Sequence, residues 1–175
     1  MILISNHLLL LPGFTVPTHA VIRINMAWLS GPDALSAAID MCGNHPVFLD
    51  FPQGRRKPPL PVWTLDEAVQ AVWEYRTAYF AVSNVEDADK AHRIQSRLPP
   101  STEMVPKIET VAGVFNLPVI LTKLDCKHIM LDTEDLFTDD PNADHFTNAI
   151  QNVHQICASR GVETLRMYGV VFSAI

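Results

Sequence analysis

Short apolar runs recur along the chain, separated by longer stretches in which apolar residues fall three and four apart. The runs read as buried strands: 20–26 (AVIRINM), 46–51 (PVFLDF), 79–83 (YFAVS), 103–109 (EMVPKIE), 127–131 (KHIML) and 164–173 (TLRMYGVVFS). Residues 2–5 (ILIS) add a seventh, so that segment 1–19 is either a first strand or a docking arm. Between the strands the pattern predicts helices. Ser30-Gly-Pro-Asp33 is an entry signal for a helix over 34–41, and Thr64-Leu-Asp-Glu67 is a capping box for one running to Tyr75. Further helices are expected over 85–98, over 111–123 with an interruption or shortening at Pro118, and over 143–159 with Arg160-Gly161 as the stop. Segment 52–61 (PQGRRKPPLP) is too rich in proline for regular structure.

Strand and helix in strict alternation predict a parallel sheet with right-handed crossovers. No GxGxxG and no P-loop follows any strand, which leaves a TIM-type (β/α) barrel ahead of a doubly wound sheet. A full barrel takes about 250 residues. With 175 residues and six to seven strands, this one is expected to be a single domain over 1–175 holding a shortened or incomplete barrel. An open parallel edge needs covering, so a homo-oligomer is expected.

Composition narrows the field. Hydrophobic residues at 48% and charged residues at 18% exclude a disordered chain. Thirteen Lys+Arg against nineteen Asp+Glu give a net charge of −6, which argues against nucleic acid as a partner. No apolar run reaches the roughly 18 residues of a membrane span, and no basic residue precedes Arg23, as a secretory signal would require. Cys42, Cys126 and Cys157 are odd in number and form no CxxC, which fits a reducing cytoplasm better than a disulfide framework or zinc ribbon. The seven histidines show no HxH or HExxH spacing.

In parallel α/β proteins the functional groups collect at the carboxyl ends of the strands. Here those ends read Arg23-Ile-Asn25, Asp50, Ser83-Asn84, Lys107-Ile-Glu109 and Asp132 through Asp135. Lys107 and Glu109 stand two apart and project to one side of their strand, where burial is costly unless they are paired or bind a metal. Glu109 and Asp135 on neighbouring strand ends suit Mg²⁺ or Mn²⁺, which take oxygen ligands. Asn25, Asp50 and Ser83 are candidate substrate-binding groups. The Arg55-Arg56-Lys57 run is either a solvated charge cluster or an anion clamp at the rim. Asp132, Glu134, Asp139 and Asp140 read as a helix-capping acidic loop, outside the ligand set.

The order of these motifs resembles the catalytic barrel of pyruvate kinase, within the phosphoenolpyruvate/pyruvate superfamily. Val21-Ile-Arg-Ile-Asn25 resembles its Arg-x-Asn strand and Val47-Phe-Leu-Asp50 its Leu-Asp strand. Phe80-Ala-Val-Ser83 is similar to its Ser-Phe-Val segment, and Lys107-Ile-Glu-Thr-Val-Ala-Gly-Val-Phe-Asn116 to its Lys-Ile-Glu segment. Ile129-Met-Leu-Asp-Thr-Glu-Asp-Leu136 matches its Asp-Leu strand end. Ile108-Glu-Thr110 is equally similar to the HpcH/HpaI aldolase and citrate lyase β-subunit barrels. The resemblance implies Glu109 and Asp135 as metal ligands, with Lys107 stabilising an enolate or a transferred group and Arg23 steadying a carboxylate or phosphate. Ala27, Phe51 and Glu134 depart from the kinase pattern, and the lid domain is replaced by segment 52–61. Three functions follow from the resemblance: a Mg²⁺-dependent C–C lyase or aldolase acting on a 2-oxo acid, a phosphotransferase acting on phosphoenolpyruvate, or a non-catalytic barrel serving as a partner subunit.

Overall fold

A computed structural model describes residues 1–55 and 57–166. Seven strands form one parallel sheet in strict chain order: β1 (Ile2–Ser5), β2 (Ala20–Asn25), β3 (Val47–Phe51), β4 (Tyr79–Val82), β5 (Glu103–Ile108), β6 (His128–Leu131) and β7 (Glu163–Arg166). A doubly wound sheet reverses its order at a switch point, whereas an unbroken sequence is the signature of a barrel. The strands make an incomplete TIM-type barrel, as expected from the alternating pattern. The predicted sixth run begins one residue early as β7, and its part beyond Arg166 lies outside the described residues.

The helices are α1 (Pro32–Cys42), α2 (Leu65–Tyr75), α3 (Ala88–Gln95), α4 (Val111–Lys123), α5 (Thr133–Asp139) and α6 (Ala143–Ser159). The Thr64 capping box closes in both directions: Thr64 Oγ1 accepts from Glu67 N–H, and the Glu67 carboxylate accepts from Thr64 N–H at 2.8 Å. Two expectations need correction. Pro118 neither interrupts nor shortens α4, which runs its full predicted length. Leu117, Ile120 and Leu121 on either side of the proline are buried, so packing outweighs the one lost backbone bond. Residues 133–139, read as an acidic loop, form helix α5. It is started by the Asp132 carboxylate, which caps Asp135 N–H at 3.2 Å.

Alternation along each strand separates two packing regions. Outward-facing Ile22, Ile24, Leu49, Phe80, Met104, Ile108 and Ile129 meet the helices in the main core. Inward-facing Val21, Phe48, Ala81, Val105, Met130 and Leu165 form an apolar layer inside the barrel. The register is staggered, so Arg23 pairs across with Phe48, Asp50 with Ala81, and Lys107 with Met130. Each polar position therefore sits one step above the apolar layer, towards the carboxyl mouth.

A second polar ring lies below that layer. The Glu103 carboxylate accepts the N–H groups of Lys127 (2.7 Å) and His128 (2.9 Å) and pairs with the His128 ring. The other His128 nitrogen faces Glu163, which also takes the Met1 ammonium at 2.7 Å, joining the starts of β1 and β7. Residue pairing between β5 and β6 runs only through Lys107 and Ile108, and before it the Glu103 carboxylate takes up the Lys127 and His128 N–H groups. His128 thus lies at the amino mouth, remote from the strand ends that carry the candidate site.

Candidate functional site at the carboxyl ends of the strands

A cleft of about 650 Å³ opens at the carboxyl mouth and is lined by Arg23, Asn25, Asp50, Ser83, Lys107, Glu109 and Asp135 together with loop residues. Residues from five strand ends, spread over more than a hundred positions of sequence, meet in one place. Asp50, at 1% exposure, is the hub. Its Oδ2 accepts from Arg23 Nε at 2.9 Å and from the neighbouring guanidinium nitrogen, while Oδ1 makes no hydrogen bond and faces Lys107 Nζ at 3.4 Å. Lys107 Nζ donates to Ser83 Oγ at 2.9 Å and pairs with Glu109 Oε1 at 2.9 Å.

Burial acts on every member of this cluster, and the neighbours decide the outcome. For Asp50, burial raises the pKa, but Lys107 and Arg23 outweigh it and hold the carboxyl below its ordinary range. For Lys107, burial favours the neutral amine, yet Asp50 and Glu109 prevail and keep it an ammonium. Glu109 goes the other way: burial outweighs Lys107 and the Asn84 N–H, and its pKa is raised.

Glu109, Asp132 and Asp135 form an acidic trio, each offering one carboxylate oxygen within 4.8 Å of the others. Asp132, read from the sequence as lying outside the ligand set, brings its carboxylate beside those of Glu109 and Asp135 while also capping α5. Asn84 sits in the left-handed region at φ 54°, which Asn tolerates better than most residues. Its N–H donates to Glu109 Oε2 at 2.7 Å and its side chain to Gln53 O at 2.7 Å, tying the proline-rich loop to the Glu109 carboxylate. The polar strand end Ser83-Asn84 pointed to this position, but nothing in the pattern revealed the backbone bond.

In the proline-rich loop, Arg55 and Lys57 both have partners within the protein. Arg55 lines the cleft, but its guanidinium donates to the carbonyls of Pro59 (3.0 Å) and Pro58 (2.8 Å) and so braces its own loop. Arg56 lies outside the described residues. Lys57 reaches across to pair with Asp135. Asn25 lines the cleft and uses its side chain to accept Ala27 N–H at 3.0 Å, starting a short 3₁₀ turn. Among the described lining residues, four cationic side chains face seven carboxylates. An all-oxygen trio in a surplus of negative charge fits a hard divalent cation by its donor chemistry.

Fold and site together define a (β/α)-barrel chain with an ionisable cluster at the functional mouth. Solved structures of similar fold include the citrate synthase SbnG (TM-score 0.67, 14% identity, covering 85% of this chain and 68% of that one). RipC from Yersinia pestis gives a TM-score of 0.62 at 17% identity, covering 83% and 68%. An HpcH/HpaI aldolase/citrate lyase family protein from Burkholderia cenocepacia gives 0.63 at 12%, covering 83% and 70%. At these identities the likeness establishes the shared barrel architecture. No protein-family profile and no curated protein sequence matches the chain. No helix among the described residues is long and apolar enough to cross a membrane.

Proposed function

We propose that this protein is a Mg²⁺-dependent lyase of the aldolase type, acting on a small 2-oxo acid. The observation that carries the reading is the buried Arg23–Asp50–Lys107–Glu109 cluster, set beside the Asp132 and Asp135 carboxylates at the carboxyl mouth of a barrel. Such a cluster is costly to bury and adds little stability over an apolar alternative, which argues for a chemical role. The barrel likeness to aldolase and citrate lyase family proteins supports the same class.

Glu109, Asp132 and Asp135 would hold the cation, which when bound polarises the 2-oxo group and offsets the negative charge developing as the C–C bond breaks. The chain's own groups do the rest. Asp50 fixes the Arg23 guanidinium and the Lys107 ammonium in one orientation at the cleft floor, so two positive groups await the substrate's anionic end without reorganisation. Ser83 holds the Lys107 ammonium from a third direction. Glu109 pairs with the Lys107 ammonium through Oε1 and accepts the Asn84 N–H through Oε2, so its carboxylate is held in one orientation at the edge of the trio.

The order of the Lys-Ile-Glu and Asp-Leu segments favours one second reading, phosphoryl transfer from phosphoenolpyruvate with the same residues. Calorimetric titration with Mn²⁺, with and without oxalate as an enolate mimic, tests the site. Binding is expected to tighten with oxalate and to vanish in Glu109→Gln. Wild-type protein that binds no Mn²⁺ overturns both enzymatic readings. Turnover of oxaloacetate or 4-hydroxy-2-oxo acids then supports the lyase, and ADP-dependent release of pyruvate from phosphoenolpyruvate replaces it with the transferase.

A further inference from the structure

We infer that Lys57 is a built-in counter-ion for the acidic trio, occupying Asp135 until a divalent cation displaces it. The inference rests on the metal reading above and adds a regulatory element to that site. Three observations carry it. The Lys57 ammonium pairs directly with Asp135, one of the three carboxylates whose oxygens converge. The backbone that delivers it is braced on both flanks: Arg55 bonds forward to the carbonyls of Pro58 and Pro59, and Asn84 holds Gln53 O. Described residues on both sides of Lys57 are therefore held, while its side chain, on a flexible four-carbon stem, can exchange partners. Lys107 already serves Glu109, and seven carboxylates face four cations in the cleft, so Lys57 supplies the charge that Asp135 otherwise lacks.

A divalent cation and an ammonium on one carboxylate repel each other, so metal entry favours departure of Lys57 from Asp135, whereas Lys107 is held in place by Asp50 and Ser83 as well as Glu109. The Lys57 side chain is 53% exposed and that of Asp135 32%, so water receives the displaced ammonium and the exchange costs little. Filling of the site is then ordered. The cation enters first and reduces the negative excess, and an anionic substrate follows.

The test is Mn²⁺ calorimetry on the full chain, comparing wild type with Lys57→Met and Lys57→Arg. Loss of the competing ammonium is expected to tighten Mn²⁺ binding about fivefold in Lys57→Met, the ceiling set by a solvent-exposed ion pair. Lys57→Arg, which keeps the charge, is expected to gain no affinity. Unchanged or weaker affinity in Lys57→Met, with wild-type binding intact, overturns the exchange and leaves the metal site standing. Absence of binding in both wild type and Lys57→Met overturns the metal reading itself. Thermal melts of the three proteins are expected to coincide, since Lys57 is a half-exposed loop residue.

Discussion

Asp50→Asn isolates the hub of the ion cluster at almost no change in shape. The substitution removes the charge that faces both Arg23 and Lys107 while leaving an amide of the same size. Breaking a buried ion pair by neutralising one partner costs about 3–5 kcal/mol. Here Lys107 retains Glu109 at 2.9 Å and Ser83, and the Arg23 side chain is 13% exposed, so the lower end applies, about 3 kcal/mol. In a chain of this length each kcal/mol moves the melting temperature by about 2–4 °C, so a drop of roughly 6–12 °C is expected at pH 7. The pH dependence carries a sign. The folded Asp50 titrates below its ordinary 3.8, so its stabilisation is fully present above that value and is lost as pH falls towards the depressed folded one. The gap between wild type and variant should therefore be constant through neutral pH and close on acidification. Urea unfolding followed by circular dichroism between pH 7 and pH 3 measures it. A gap under about 1 kcal/mol at pH 7, or one that widens in acid, refutes the hub.

Two further predictions concern the scaffold. A Cβ at Gly113 would lie 3.0 Å from Val85 O and 3.3 Å from Thr110 Oγ1, so Gly113→Ala sets overpacking of about 1–3 kcal/mol against about 1 kcal/mol of helix propensity. A net loss near 1 kcal/mol is expected in urea, and a gain would show that the strand-to-helix junction has room to spare. Burial pushes the Cys42 thiol to about 11 and the Cys126 thiol to about 12, and also raises Cys157. Ellman's reagent at pH 8 should therefore leave all three thiols unmodified in native protein and titrate them on unfolding; rapid native labelling of any one contradicts their placement.

The strands were legible because a sheet covered on both faces demands continuous apolar runs, and α2 because its Thr64 capping box acts within a few residues. Helix α5 was not. Seven residues with five acidic or hydroxyl side chains carry too little apolar periodicity, and the capping role of Asp132 shows only in three dimensions. Pro118 misled because propensity is local, while the buried face of α4 is set by tertiary packing. At the site, the residues two apart on a strand end, Lys107 and Glu109, announced themselves through the cost of burying charge. The contacts of Lys57 and Asn84 did not. Their partners lie 78 and 25 positions away, and whether a loop lysine braces a carboxylate or faces water is decided by where the loop folds.

The apolar layer of Val21, Phe48, Ala81, Val105, Met130 and Leu165 acts as a dielectric partition across the barrel axis. Glu103 and Lys107 stand four residues apart on β5, which at a strand's rise places their backbones about 13 Å apart with the apolar layer between them. At that spacing, with no shared partner, energetic effects at the two mouths add within about 0.5 kcal/mol. The lower ring around His128 is thus an independent module, open to redesign of stability without retuning the charges at the carboxyl mouth.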